Sequence, residues 1–209
     1  MAATPLIALE EVAPRILPGS ILVWRGGRLP HQRITNAEGR GAGHHVEMVL
    51  VRGSGIPALQ CMGFTMWGPR YHSLRQVVLR ALGKIDLYEP MADVAWAHEG
   101  NWDGYGAQQE MERLIAESRG YGWWHLLRLA LRRMPMVRLL LRHAYGDKCH
   151  KRLRTYFCSH AVSQACRVGG GFDPVPQLSD WETQPADLAR SLFFRRLGRL
   201  TLQGYRGTA

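Results

Sequence analysis

Two residues far apart in the sequence have the types needed for thiol chemistry. Cys158 follows the aromatic pair Tyr156-Phe157 and opens the amphipathic stretch CSHAVSQACR (158–167). A thiol at the start of a helix feels the positive end of the helix dipole, which favours thiolate. Such a thiol needs a base, and the base need not be close in sequence. His45 begins the apolar, β-branched run His45-Val-Glu-Met-Val-Leu-Val51 after a Gly-rich loop, a setting that presents a side chain at a cleft edge. On residue types alone, a cysteine at a helix start is more often a small buried hydrophobe than a nucleophile.

The elements around these two residues read as mixed α+β. Ile21 to Trp24 predicts a short buried strand, His45 to Val51 a second, and Ala58 to Phe64 a third, reached through Gly53-Ser-Gly55. Residues 73–82 carry Leu74, Val77, Val78 and Leu82 at helical spacing. Lys84 to Tyr88 and Ala92 to Ala97 read as strands, with Pro90 between them. A helix is expected from Gly106 to Ser118, another over 123–145 broken or kinked at Pro135, and a third at the Cys158 segment, closed by Gly169-Gly-Gly171. PADLARSLFFRRL (185–197) predicts a short helix running into a terminal strand. Asp103 and Glu99 read as loop acids and Asp187 as a helix-start acid.

The 209 residues suit one domain, 1–209, with its core at about 17–197, and 46% hydrophobic residues indicate a globular chain. The opening MAATPLIALEEVAPRILPG has Glu10 and Glu11 where an export signal needs apolar residues, and no uncharged run is long enough to span a bilayer. A soluble, cytoplasmic protein with free thiols is therefore expected. The cysteines (Cys61, Cys149, Cys158, Cys166) match no short paired zinc spacing, so neither a metal nor a cofactor is expected.

Several separated segments resemble one family, the circularly permuted branch of the NlpC-type papain-like cysteine peptidases, the YiiX/YebB-like proteins. LPGSILVWRG resembles the family's opening Gly-Asp strand, with Ser20 in place of Asp. GHHVEMVL resembles the strand that carries the base. YFCSHAVSQAC resembles the nucleophile helix, with His160 in place of the usual Glu, and QPADLARSLFF resembles the segment that closes the fold. The resemblance implies a permuted papain-like fold, Cys158 as nucleophile and His45, in preference to His44, as general base. It also implies that the polar residue on the next strand orients the imidazole, which in PALQCMGF is Gln60. Tyr121, in ESRGYGWW, corresponds to a tyrosine that lies near the thiol in unpermuted relatives, and a core aromatic is the competing reading. The main-chain N–H of Cys158 would supply an oxyanion donor. The implied activity is hydrolysis of an amide, such as a peptide linkage, through a thioester. The alternatives are a lipid acyltransferase or esterase using the same residues, and an inactive binding module of the same fold.

The net charge of +10 is local. Residues 1–118 carry 11 basic and 12 acidic side chains, whereas 119–154 carry 10 basic ones against Asp147 alone. Arg128, Arg132, Arg133, Arg138 and Arg142 accompany a leucine-rich stripe. The first reading is a helix packing its Leu face and solvating its Arg face. Contact with an anionic membrane surface or lipid comes second, and an anionic polymer third, with nucleic acid last because no recognised motif accompanies the charge.

Overall fold

The computed structural model describes residues 4–26, 43–65, 67–81, 84–93, 101–121 (Tyr121 by its main chain) and 155–203. The expected helix over 123–145 and most of the expected strand over 92–97 lie outside these residues, as do Cys149 and the five arginines from Arg128 to Arg142.

The chain is α+β, with seven strands in one sheet. In chain order the elements are β1 (Leu6–Ala8), α1 (Leu9–Val12), β2 (Ile21–Trp24), β3 (His45–Val51), β4 (Leu59–Thr65), β5 (Gly68–Ser73), α2 (Leu74–Ala81) and β6 (Ile85–Pro90). They continue with α3 (Gly104–Glu117), β7 (Gly120–Tyr121), β8 (Thr155–Tyr156), α4 (Cys158–Gln164), α5 (Pro185–Arg190) and β9 (Phe194–Thr201). The sheet order is β1-β9-β6-β2-β3-β4-β5, and β7 and β8 form a separate parallel pair. Within the large sheet β1 and β9 run parallel and the other neighbours antiparallel.

Alternation along the central strands explains the layering. Side chains two residues apart share a face. Ile21, Val23, Val46, Met48, Leu50, Met62 and Phe64 meet α3 and α4 through Met111, Leu114, Ala161 and Val162. The intervening Leu22, Val49, Leu59, Cys61 and Leu87 meet α1 and α2 on the other face through Leu9, Val12, Leu74 and Val77. The sheet is thus covered by helices on both sides, with each fully buried aliphatic side chain contributing about 1.5–3 kcal/mol. Packing begins before residue 17, because Leu9 and Val12 are core residues and β1 extends the sheet beyond β9.

Local chemistry fixes the helices that matter for the site. Asp103, expected to be a loop acid, instead caps α3, its Oδ1 accepting from the Gly106 N–H at 2.9 Å. Asp187, in the first turn of α5, accepts from the Gln184 N–H at 2.9 Å. After α4 the chain makes a π-type turn at Ala165–Gly169, with the Gly170 N–H donating to the Ala165 carbonyl at 3.1 Å. A Cβ on Gly169 would stand 2.2 Å from the Gly106 carbonyl oxygen, so α3 and the end of α4 approach at backbone distance. That contact sets the depth at which α4 presents its first residue.

Candidate active site

Cys158 is the first residue of α4, and Phe157 before it is extended (φ −114°, ψ 167°), so the chain turns sharply into the helix at the thiol. The side chain is buried, with 5% of the residue exposed. The Val46 and Ser159 N–H groups both point at the sulfur, and the His45 imidazole hydrogen-bonds it. Burial alone would push this thiol up, but the His45 charge and hydrogen bond, with the two N–H groups, outweigh it and hold the thiol below its ordinary value.

His45 opens β3 opposite Trp24. Its Nε2 lies 3.2 Å from Glu47 Oε1, which leaves Nδ1 as the nitrogen that serves the thiol. Burial pulls the imidazole down, but the thiolate and the Glu47 carboxylate raise it to about 10. The thiol is thus lowered and the imidazole raised, each by the other. The structure brings His45 to the sulfur, while His44 sits in the bend before β3 with its main-chain N–H on the Trp24 carbonyl at 3.0 Å.

Glu47 completes a row of three. It is 3% exposed, and its Oε2 is a buried oxygen without a hydrogen-bond partner. Gly63 makes room for it, since a Cβ there would lie 2.7 Å from Glu47 Cγ. The carboxylate can orient the imidazole, and unlike an amide oxygen it can also stabilise the imidazolium by its charge.

Gln60 lies elsewhere, and the expectation that it orients His45 is corrected on geometry. It pairs with Leu50 on β3 and Ser73 on β5. Five residues separate Leu50 from His45, or about 17 Å along a strand. The resemblance pointed to the neighbouring strand, whereas the oxygen on the imidazole comes from the base's own strand. The i, i+2 spacing of His45 and Glu47 puts both on one strand face, and an acid inside an apolar strand needs a partner. Those two signals were available in HVEMVLV.

The main chain of Tyr121 pairs with Tyr156, two residues before Cys158. His160 is buried two residues into α4, its ring 5.2 Å from Tyr156 and 5.5 Å from Phe157. Ser20 is buried before β2, its carbonyl accepting from the Val49 N–H at 2.7 Å. The other two described thiols, Cys61 and Cys166, are buried and pushed well up, chiefly by that burial. Among the described residues no group of three or more His, Cys, Asp or Glu is placed to hold a metal ion, and no helix is long and apolar enough to cross a membrane.

Fold and site together describe an α+β chain with a buried thiol at a helix start, hydrogen-bonded to an imidazole that a buried carboxylate backs. No protein-family model matches the chain, and no curated protein matches it. Among solved structures it is similar to the metalloprotein yiiX from Escherichia coli O157:H7, at 9% identity and a TM-score of 0.49, covering 88% of this chain and 98% of that one. At that level of identity the likeness assigns no residue a role.

Proposed function

We propose that this chain is a papain-like cysteine hydrolase that opens an acyl bond, an amide by preference, through a thioester on Cys158. The observation that carries the reading is the row Cys158, His45, Glu47: a thiol held low at the first turn of a helix, an imidazole raised beside it, and a buried carboxylate on the far ring nitrogen. Perturbed titration of two groups in contact is a mark of functional sites.

In the proposed cycle the Cys158 thiolate attacks the carbonyl carbon, and the carbonyl oxygen becomes an oxyanion. The Cys158 N–H, in the first helical turn where no intrahelical acceptor exists, is the donor proposed for that oxyanion. Collapse expels the amine, which takes its proton from the His45 imidazolium. Neutral His45 then removes a proton from water, the hydroxide attacks the thioester, and the acid leaves as thiolate and imidazolium re-form. Glu47 holds the ring orientation throughout and favours its charged form.

Turnover of peptide amides and of lipid esters by wild type and Cys158→Ala tests the reading. Amide cleavage lost in Cys158→Ala supports it. Ester turnover or acyl transfer alone would replace it with the lipid acyltransferase or esterase, and no turnover of either class would leave a binding module.

A further inference from the structure

Asp86, fully buried on β6, takes contacts from three guanidiniums at once. Arg25 and Arg196 reach its Oδ2, the latter at 2.5 Å, and Arg199 Nε lies 3.3 Å from Oδ1. Arg25 also donates to Tyr88 Oη at 3.1 Å. Among the described residues, three positive charges stand against one negative, a surplus of two in the cluster. The carboxylate is 0% exposed while the arginine side chains are 25%, 31% and 35% exposed, so they bridge from the buried acid to solvent. Each guanidinium carries five N–H donors, most of them unused by Asp86.

The placement of these arginines is specific. Arg196 and Arg199 stand three apart on β9, a spacing that would put them on opposite faces of a regular strand. A bulge against Leu87 and Tyr88 inserts one extra residue, so that Arg196 pairs with Tyr88 and Arg199 with Asp86, on one face. Asp86 pairs with Val23, and Val23 with Val46. The cluster therefore occupies the sheet face of Val46, whose N–H points at the Cys158 sulfur, two strands away or about 10 Å. Arg25 directly follows Trp24, the partner of His45, so it lies at the same end of the sheet as the base. Arg195 provides a contrast. It pairs one-to-one with Glu89 and alternates to the other face. A purely structural ion pair needs one guanidinium per carboxylate, as Arg195 and Glu89 have, and gains nothing from a surplus on the nucleophile's side.

We propose that Arg25, Arg196 and Arg199, gathered on Asp86, form a subsite for a carboxylate or phosphate group carried by the substrate that Cys158 attacks. The substrate part of this inference rests on the reading of Cys158 as nucleophile, whereas the anion site does not. Asp86 holds the three forks in place, and the anion fills their outward donors.

Titrating the Cys158→Ala protein with inorganic phosphate and with succinate, at constant ionic strength, tests the site without turnover. A saturable rise of the thermal midpoint is expected with at least one probe. Arg196→Gln should weaken the apparent affinity about tenfold or more, one charge-assisted contact being worth at least that factor. Arg195→Gln should leave it unchanged. Arg199→Gln, with the longest of the three contacts, serves as the second variant if Arg196→Gln fails to fold. Response to phosphate alone indicates a phosphate-bearing substrate, and response to succinate alone a carboxylate-bearing one. No saturation with either probe, or an equal response in the Arg196 and Arg199 variants, overturns the proposal. Failed anion binding leaves the catalytic reading standing, and an unreactive Cys158 leaves the anion site standing.

Discussion

Replacing His45 by Ala gives a direct measure of the thiolate–imidazolium pair. In the wild type the imidazolium holds Cys158 low against its burial, so the thiolate persists below the range where an ordinary thiol titrates. His45→Ala removes the cation and keeps the burial, so the thiol returns to at least its ordinary value near 8.5. At pH 6 such a thiol is about 0.3% thiolate. The wild-type thiol, held lower, carries a larger thiolate fraction at that pH. A more basic thiolate is the better nucleophile, which returns part of the difference. Alkylation of Cys158 by iodoacetamide at pH 6 should then be slower in His45→Ala. Between pH 6 and 8 the variant's rate should climb about 75-fold, and the wild-type rate by less. The assay is peptide-level mass spectrometry of quenched time points, which separates Cys158 from Cys61, Cys149 and Cys166 in one sample. Equal rates and parallel pH profiles for wild type and His45→Ala would refute the reasoning, as would equal labelling of all four cysteines. The stability signs agree with the same picture. The raised His45 contributes fully below its ordinary 6.5, and that contribution is lost as pH rises through about 10. The depressed Cys158 contributes above its ordinary value, and its share is lost as pH falls through the lowered one.

Glu47→Gln keeps the shape of the side chain but removes its charge, so the alkaline limb of kcat/KM should move below about 10 and Cys158 alkylation at pH 6 should slow. Gln60→Ala, on a residue opposite Leu50, should leave both profiles within about twofold of wild type, and the reverse pattern would reinstate Gln60 as the orienting group. Gly63→Ala should force its methyl against Glu47, lowering stability by about 1–3 kcal/mol in a denaturant melt and slowing alkylation together. Asp86→Asn leaves three guanidiniums facing one another without their carboxylate, and a loss of about 3–5 kcal/mol in the same measurement is expected.

What the sequence revealed and what it hid divide along a physical line. Ile21–Trp24, His45–Val51 and Leu59–Thr65 were legible because each is buried on both faces and must be an apolar run whatever its neighbours are. The edge strands were not. GPRYHS at β5 is mostly exposed or half-buried and becomes a strand through its ladder to β4, a partner that local pattern does not name. Cys158 and His45 could be picked out by their positions at an element start. The third member was missed because the resemblance pointed one strand over, where the pairing puts Gln60 against Leu50 and leaves Gly63 as the gap that Glu47 fills.

The arginine cluster makes the same point more sharply. On the sequence, Arg25, Arg196 and Arg199 are three of 27 basic residues, and the eye goes to the denser run at 119–154. Their common target, Asp86, follows Ile85 in a strand whose six residues are all buried, a place where a lone carboxylate would be costly. That cost is itself a legible signal. A buried acid in an apolar strand demands cations, just as the buried acid in HVEMVLV demands an imidazole. Both acids lie inside the sheet, on either side of β2, and each has gathered the groups that neutralise it. Glu47 has one partner and Asp86 has three. Among the described residues the second ratio leaves two guanidinium charges over, the charge that the proposed anion would meet.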